Sequence, residues 1–240
     1  MKEKKENLIE CRIQNSKIYK IPSLFIFNYS LFIAMRYTGP KFKLCRREQV
    51  DLFWSKKYNI KKNRSLPGQH GANMQRSSEY GKLLRNKQVL KRMYMLSERQ
   101  FVRIVRDTAA KYSKNKNITH DTALFQFLER RMDSTVYRSG LAKTMMQARQ
   151  MVNHGHFLLN GKKHNIPSSF VSIGDKITLK EKLKDSTLYS QNAAEVKGKI
   201  PSWVKLDKAA NAVEVLNAPQ VGELGIPADL LKVIEFYARA

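Results

Sequence analysis

The chain has 240 residues and carries 45 lysines and arginines against 20 acidic residues, a formal net charge of +25 at pH 7. That length supports one large or two small domains, and with only Cys11 and Cys45 it excludes a disulfide framework and a four-cysteine zinc site. Charge of this density opposes compaction unless a polyanion neutralises it, so nucleic acid is the first partner class and an anionic membrane the second.

The charge is not spread evenly. Residues 1–34 carry 6 bases and 3 acids and residues 194–240 carry 6 of each, so 33 bases face 11 acids between 35 and 193. Residues 1–34 also differ in pattern. Lys2 to Glu6 is a mixed-charge run, and Ile21 to Ala34 is mostly apolar but broken by Pro22, Asn28 and Ser30. That run is shorter than the ~20 residues of a membrane span and lacks the small-x-small site of a secretory signal.

From Lys41 onward the cations Lys41, Lys43, Arg46 and Arg47 interleave with Phe42, Leu44 and Cys45, and Leu52-Phe53-Trp54 follows. Turn formers cluster at Asn63 to Ser65 and at Pro67-Gly68-Gln69-His70-Gly71, ahead of Arg76. Glycines flanking Gln69 and His70 let backbone amides and two polar side chains approach a phosphate or an unstacked base. The spacing predicts a basic helix over 79–95, with Arg85, Lys87, Lys91 and Arg92 among Leu83, Leu84, Leu90 and Met93. Ser97 with Gln100 spells a capping box, and Phe101, Ile104, Val105 and Ala109 give the next helix an apolar edge to about Lys111. Ser113 to Asn117 reads as a polar hinge.

Leu124, Phe127, Leu128 and Met132 recur at helical spacing after Thr119, which predicts a helix over 120–132. Asp133 or Ser134 is placed to cap a short piece carrying Val136, Tyr137 and Arg138, which Gly140 ends. Thr144 with Gln147 spells a further capping box for a helix with Met151 and Val152 that stops at Gly155. His156 to Asn160 is strand-like, and Asn160-Gly161 is a strong hairpin signal ahead of Lys162 and Lys163. Phe170 to Ile173 and Lys176 to Lys180 predict two further strands across a Gly174-Asp175 turn. Arg130, Arg131, Arg138, Lys143 and Arg149 fall between the apolar positions and are expected on the outer helical faces, where they can meet phosphates. His154, His156 and His164 read as polar or RNA-facing positions, since no cysteine ligand lies near them.

Beyond Lys184 the pattern is mixed, with helix expected through Gln191 to Ala194. Trp203 is read as a packing anchor, and Val213-Glu214-Val215 as a strand. Pro227 stands in the first turn of a last helix whose expected buried stripe is Leu230, Leu231, Ile234 and Tyr237.

Leu128-Glu129-x-Arg131, Val136-Tyr137-Arg138, Ala142-x-Thr144, Ala148-Arg149-x-Met151-Val152, Gly155 and Asn160-Gly161 together resemble the RNA-binding module named after small-subunit ribosomal protein four. Met132 stands where that family usually has Leu or Ile, and Met145 where many members have Arg. Met35-Arg36-Tyr37-Thr38-Gly39-Pro40-Lys41 resembles the usual beginning of the bacterial proteins, and Tyr80-Gly81-x-x-Leu84-Arg85-x-Lys87-Gln88 matches the same family. The resemblance runs from Met35 to Arg239 and makes Met35 the expected biological start, which residues found before it in the native protein would refute. Some members carry a zinc-binding cysteine pair near Cys45. Here Phe42 stands in place of the first cysteine, so no zinc is expected.

The resemblance implies an α+β fold: a mainly helical first domain completed by the C-terminal tail, with a helix-helix-β RNA-binding module inserted. The expected divisions are an extension over 1–34, a basic helical domain over 35–118, the module over 119–190 and a segment over 191–240 folding back on the helical domain. It also implies a structural constituent of the cytoplasmic small ribosomal subunit that binds 16S ribosomal RNA (rRNA) early, nucleates assembly of its 5′ domain and influences decoding accuracy. Its implied neighbours are ribosomal proteins three and five and messenger RNA (mRNA) where it enters the subunit. Bacterial and organellar ribosomes both stay open.

The expected RNA contacts are Lys41, Lys43, Arg46, Arg47, Gln69, His70, Arg76, Tyr80, Arg85, Lys87, Arg130, Arg131, Arg138, Lys143, Arg149, His154, Lys162 and Lys163. An RNA-modifying enzyme borrowing the module would need a catalytic domain. The rest of the chain has no recognisable nucleophile, phosphate loop or metal set, so no catalytic residue, cofactor, metal or small-molecule substrate is expected. An RNA-binding translational regulator or antiterminator is the alternative reading.

Overall fold

The computed structural model describes residues 37, 39–53, 65–72, 76–114, 118–183, 186, 187, 189, 200–207 and 210–239. The expectations for residues 1–34, for Trp54 and for Gln191 to Ala194 lie outside these. Among the described residues seven helices and one antiparallel sheet make an α+β fold, and no helix is long and apolar enough to cross a membrane.

Local signals set most of the helix ends. Helix α1 (Lys41–Glu48) stops at Gln49, whose φ of 57° is left-handed. Helix α2 (Glu79–Met93) starts where the Ser78 hydroxyl accepts from the Gly81 amide at 3.1 Å. Helix α3 (Glu98–Lys114) has the full capping box: Ser97 Oγ accepts from Gln100 N and Gln100 Oε1 from Ser97 N, both at 3.3 Å.

Helix α4 (His120–Glu129) is shorter than its apolar spacing predicts. The reason lies in a distant segment: Met132 N donates to Ser169 O at 2.9 Å, Asp133 N to Pro167 O at 3.2 Å and Val171 N to Arg130 O at 2.8 Å. These bonds turn the chain at Arg130-Arg131, and helix α5 (Met132–Arg138) begins afresh. The same stitching leaves Phe170 to Ile173 with one isolated bridge, Arg131 to Phe170, instead of the expected strand. Gly140, at φ 86°, turns the chain after α5. Helix α6 (Met145–Asn153) is capped by Thr144, whose hydroxyl accepts from Gln147 N at 3.2 Å.

Strands β1 (Phe157–Leu159) and β2 (Lys162–Lys163) flank Asn160 and Gly161, both left-handed at φ 50° and 79°, as a type I′ hairpin requires. Strand β3 (Lys176–Leu179) pairs with β1, placing Ile177 opposite Leu159 and Leu179 opposite Phe157. The sheet does not end there. Strands β4 (Val204–Asp207) and β5 (Ala212–Val215) form a hairpin that pairs with the free side of β3, giving the order β2-β1-β3-β5-β4.

The C-terminal segment is therefore divided. Its hairpin extends the module's sheet, whereas Leu224, Ile226, Ala228 and helix α7 (Leu230–Arg239) fold back on the helical domain, the helix against α2, α3 and α4. The start of α7 is fixed by Asp229, whose carboxylate accepts from Leu231 N at 3.1 Å and Lys232 N at 3.5 Å. Its buried residues are Leu230, Val233 and Phe236, with Ile234 and Tyr237 half-buried, while Leu231 is 63% exposed. The expected stripe includes that exposed residue and leaves out Val233 and Phe236, because the helix is apolar on more than one face and only the fold selects among them.

Two hydrophobic clusters result. One joins α1, α2, α3 and α4 to Leu230 and Val233 of α7. The other lies between α5, α6 and the sheet, closed by Tyr189 and Trp203, which are 2% and 1% exposed. Trp203 is a packing anchor, as its sequence context predicts.

Candidate RNA interface

The cations fall into two sets. The inward set includes several expected on outer faces. Glu129 is fully buried and accepts from Tyr94 Oη at 2.5 Å, from Arg138 Nε at 2.9 Å and from Arg138 Nη2 at 2.7 Å. Burial strongly raises the pKa of Tyr94, and Glu129 adds to that, so the phenol keeps its proton and donates it. Asp133 is likewise buried and gathers Arg131 Nε at 3.1 Å, Arg131 Nη2 at 2.9 Å and Arg149 Nη1 at 3.2 Å. Burial pulls the pKa of Arg149 down, the Asp133 charge opposes this and Arg131 adds to the fall. Arg131, Arg138 and Arg149 are thus turned inward, because each finds a buried carboxylate that its own helical position does not reveal.

Lys87 is also buried, with Nζ 2.8 Å from Glu98 and 4.7 Å from the centroid of the Phe236 ring. Glu98 further accepts from Lys91 at 2.7 Å and from Tyr237 Oη at 2.8 Å, tying α2, α3 and α7 together. Burial alone would raise its pKa, but hydrogen bonds from Lys87, Lys91 and Tyr237 outweigh that and hold it at about 2. Arg85 and Arg92 meet on Glu48, at 3.2 and 2.7 Å, linking α1 to α2. Arg46 holds the following loop: Nε donates to Ser65 O at 3.1 Å, and Nη2 to Ser65 O at 3.0 Å and Ser65 Oγ at 3.1 Å.

The outward set is carried on this braced frame. Lys43, Arg47, Gln69, His70, Arg76 and Tyr80 are exposed, and Lys41 is half-buried. The loop that presents Gln69 and His70 closes through Leu66 N to Gly71 O at 3.2 Å and Gly71 N to Gly68 O at 3.1 Å. A Cβ on Gly71 would stand 1.8 Å from Leu66 O, so this turn admits only glycine there. On the module, Lys143, His154, Lys162 and Lys163 are exposed and Arg130 is half-buried, its Nε donating to Val171 O at 3.0 Å. Gly155, at φ 64°, brings the backbone under two lysines: its Cβ position would be 3.3 Å from Lys163 Cε and 3.7 Å from Lys180 Nζ. Beside it the rings of His154 and His156 are 5.9 Å apart, and His156 Nδ1 shares a hydrogen bond with Tyr189 Oη at 2.8 Å. Burial and the neighbouring His154 and Lys180 charges lower the pKa of His156.

Sequence reading missed Arg99, Arg103 and Arg106, which are exposed along α3. Their i, i+4, i+7 spacing is legible in the sequence, interleaved with the apolar edge that the helix buries. Lys180 was missed because its place over Gly155 depends on the β1–β3 register. Among the described residues no group of histidine, cysteine, aspartate and glutamate side chains could hold a metal ion.

Two family models match the chain, the ribosomal protein S4/S9 N-terminal domain over residues 36–129 and the S4 domain over residues 130–177. The small ribosomal subunit protein uS4 of Geotalea daltonii is 40% identical over 211 residues, covering 85% of this chain and 99% of the relative. The chain belongs to the uS4 family. The uS4 proteins of Petrotoga mobilis and Thermotoga petrophila are 38% and 40% identical, each over 85% of this chain and 99% of their own. The two departures from the uS4 pattern are both interior residues: Met132 is in the module's cluster and Met145 in the helical one, at 0% and 3% exposure.

Proposed function

We propose that the chain is a structural, non-catalytic constituent of the small ribosomal subunit that binds 16S rRNA directly, early and at a junction of its 5′ domain. In this reading it helps to nucleate assembly there, beside ribosomal proteins three and five and the path by which mRNA enters. Membership of the uS4 family supports the ribosomal assignment. The observation that carries the RNA-binding mode is the sorting of the cations. Arg131, Arg138, Arg149 and Lys87 are held on buried or half-buried carboxylates and brace the frame, which leaves Lys43, Arg47, Arg76, Lys143, Lys162 and Lys163 projecting from it.

A-form RNA hides its bases in a deep, narrow groove, so cations on rigid elements read backbone shape and splayed junction bases. In the proposed mode the outward set, with Lys41 and Arg130 at its margins, meets phosphates, and Gln69, His70, Tyr80 and His154 meet junction nucleotides, while Arg46 and Arg85 brace the 65 loop and helix α1. The inward arginines act on RNA only through the geometry they maintain.

The test is binding of the full chain to a 16S 5′-domain transcript across a salt series, against an unrelated structured RNA of equal length. Preference for the 5′ domain that persists as salt rises is expected, with affinity falling by roughly 0.7 to 0.9 log units per phosphate contact for each decade of salt. Equal binding to both RNAs, lost together as salt rises, would overturn the specific assignment.

A further inference from the structure

At the seam between the two matched segments a notch of about 280 Å³ opens between the end of α3, helix α4 and the 170 loop. Lys111, Tyr112, Gln126, Phe127, Arg130 and Phe170 line it. It is smaller than the ~300 Å³ at which sites for drug-sized ligands begin, and it has no array of converging buried donors. Its walls are aromatic. Tyr112 is 40% exposed and its ring lies nearly parallel to that of His120, at 7° and 5.3 Å, so one face is covered and the other is left to the solvent. Phe170 is 47% exposed and stands edge-on to Phe127 at 4.8 Å.

The rim is cationic. Lys111 Nζ sits 4.3 Å from the centroid of the Phe127 ring, and Arg130 is fixed through its Nε to Val171 O at 3.0 Å. Among the described residues no carboxylate forms an ion pair with either of them. Flat apolar faces with a cation on either side suit a planar base whose flanking phosphates need neutralising. An acidic peptide would satisfy the rim but would gain little from the aromatic faces.

We propose that this notch holds one unstacked base of an RNA strand, stacked against Tyr112 and Phe170, with Lys111 and Arg130 on the adjoining phosphates. The proposal rests on the RNA-binding reading above. It assigns to Tyr112, Phe170 and Lys111 a role that the cationic pattern of the sequence does not suggest.

The test uses the full chain and two probes, a 12-residue oligouridylate and a ribose-phosphate strand of the same length without bases. Wild type is expected to prefer the oligouridylate, because each stacked base contributes roughly 5- to 150-fold in affinity. Tyr112→Leu with Phe170→Leu should weaken oligouridylate binding by at least 5-fold and leave the baseless strand unchanged, and Phe170→Tyr should retain the preference. Both aromatic residues are substantially exposed, and retained melting temperature checks that the variants are folded.

Equal loss on both probes, or no loss on either, would overturn the proposal. Binding of the 5′-domain transcript by wild type in the same salt series separates the two readings. If it persists while the substitutions change nothing, the notch assignment alone fails; if wild type shows no preference for that transcript, the ribosomal-site assignment fails independently.

Discussion

Glu129→Leu removes the carboxylate on which Tyr94 and Arg138 converge, and it does so inside the protein. The side chains of Arg138 and Glu129 are 12% and 0% exposed, so the substitution removes the carboxylate that accepts two hydrogen bonds from a guanidinium with little access to water. Breaking a buried pair from one side costs about 3–5 kcal/mol, whereas replacing both partners with apolar groups is often close to neutral. For a chain of this size each kcal/mol moves the melting temperature by about 2–4 °C. Glu129→Leu is therefore expected to melt roughly 6–20 °C below wild type. The paired change Glu129→Leu with Arg138→Met should recover the part of that loss due to the guanidinium, while the buried Tyr94 hydroxyl, still without its acceptor, keeps a cost of about 1–3 kcal/mol.

Urea and thermal unfolding followed by circular dichroism measure both quantities. The same paired variant separates bracing from RNA contact: its affinity for the 5′-domain transcript should keep the wild-type salt slope, whereas loss of a phosphate contact would lower it by roughly 0.7 to 0.9. A single variant that loses less than about 1 kcal/mol, a double variant as unstable as the single, or a reduced slope would refute the assignment of Arg138 as a brace.

The Glu98 carboxylate, held at about 2 in the folded chain, is depressed below the ordinary ~4.3 of an unfolded glutamate. Its contribution is then present above ~4.3 and is lost as pH falls toward 2. Because its side chain is 42% exposed, the contribution is discounted to about 1 kcal/mol or less; Glu98→Gln should flatten that part of an acid-unfolding curve, and an unchanged curve would sink the claim. Gly71→Ala should open the 66–71 turn and speed proteolytic cleavage within it, since the new Cβ cannot coexist with Leu66 O at 1.8 Å; unchanged cleavage would refute the turn assignment. On α7, Val233→Ala should cost about 2 kcal/mol from loss of buried methyl groups, and Leu231→Ser less than about 0.5 kcal/mol. Denaturation midpoints that reverse this order would refute the observed face of the helix.

What was legible in the sequence is what neighbours in the chain decide. Ser97 with Gln100, Thr144 with Gln147, and Asn160-Gly161 each fix a cap or turn within four residues, and each is found where its spacing puts it. What was not legible depends on residues far apart. The end of α4 is set by amides that turn toward Ser169 and Pro167, and the free side of β3 is covered by residues 212–214. The candidate site follows the same rule. Exposed Lys43, Arg47 and Lys163 behave as their polar context predicts, but Arg131 and Arg138 resemble them in sequence and differ only in having buried Asp133 and Glu129 within reach. Tyr112 and Phe170 come together only across the fold, so no local spacing announces the notch.

The division of the C-terminal segment has a consequence for the order in which the protein can be made. Strand β3 keeps a bare edge until β5 has left the ribosome that synthesises it, and the helical cluster lacks Leu230 and Val233 until residues 230–233 follow. Both cores thus stay unsealed through most of translation, with the heavily basic middle already emerged. The nascent chain presents its cations before helix α7 has joined the helical cluster.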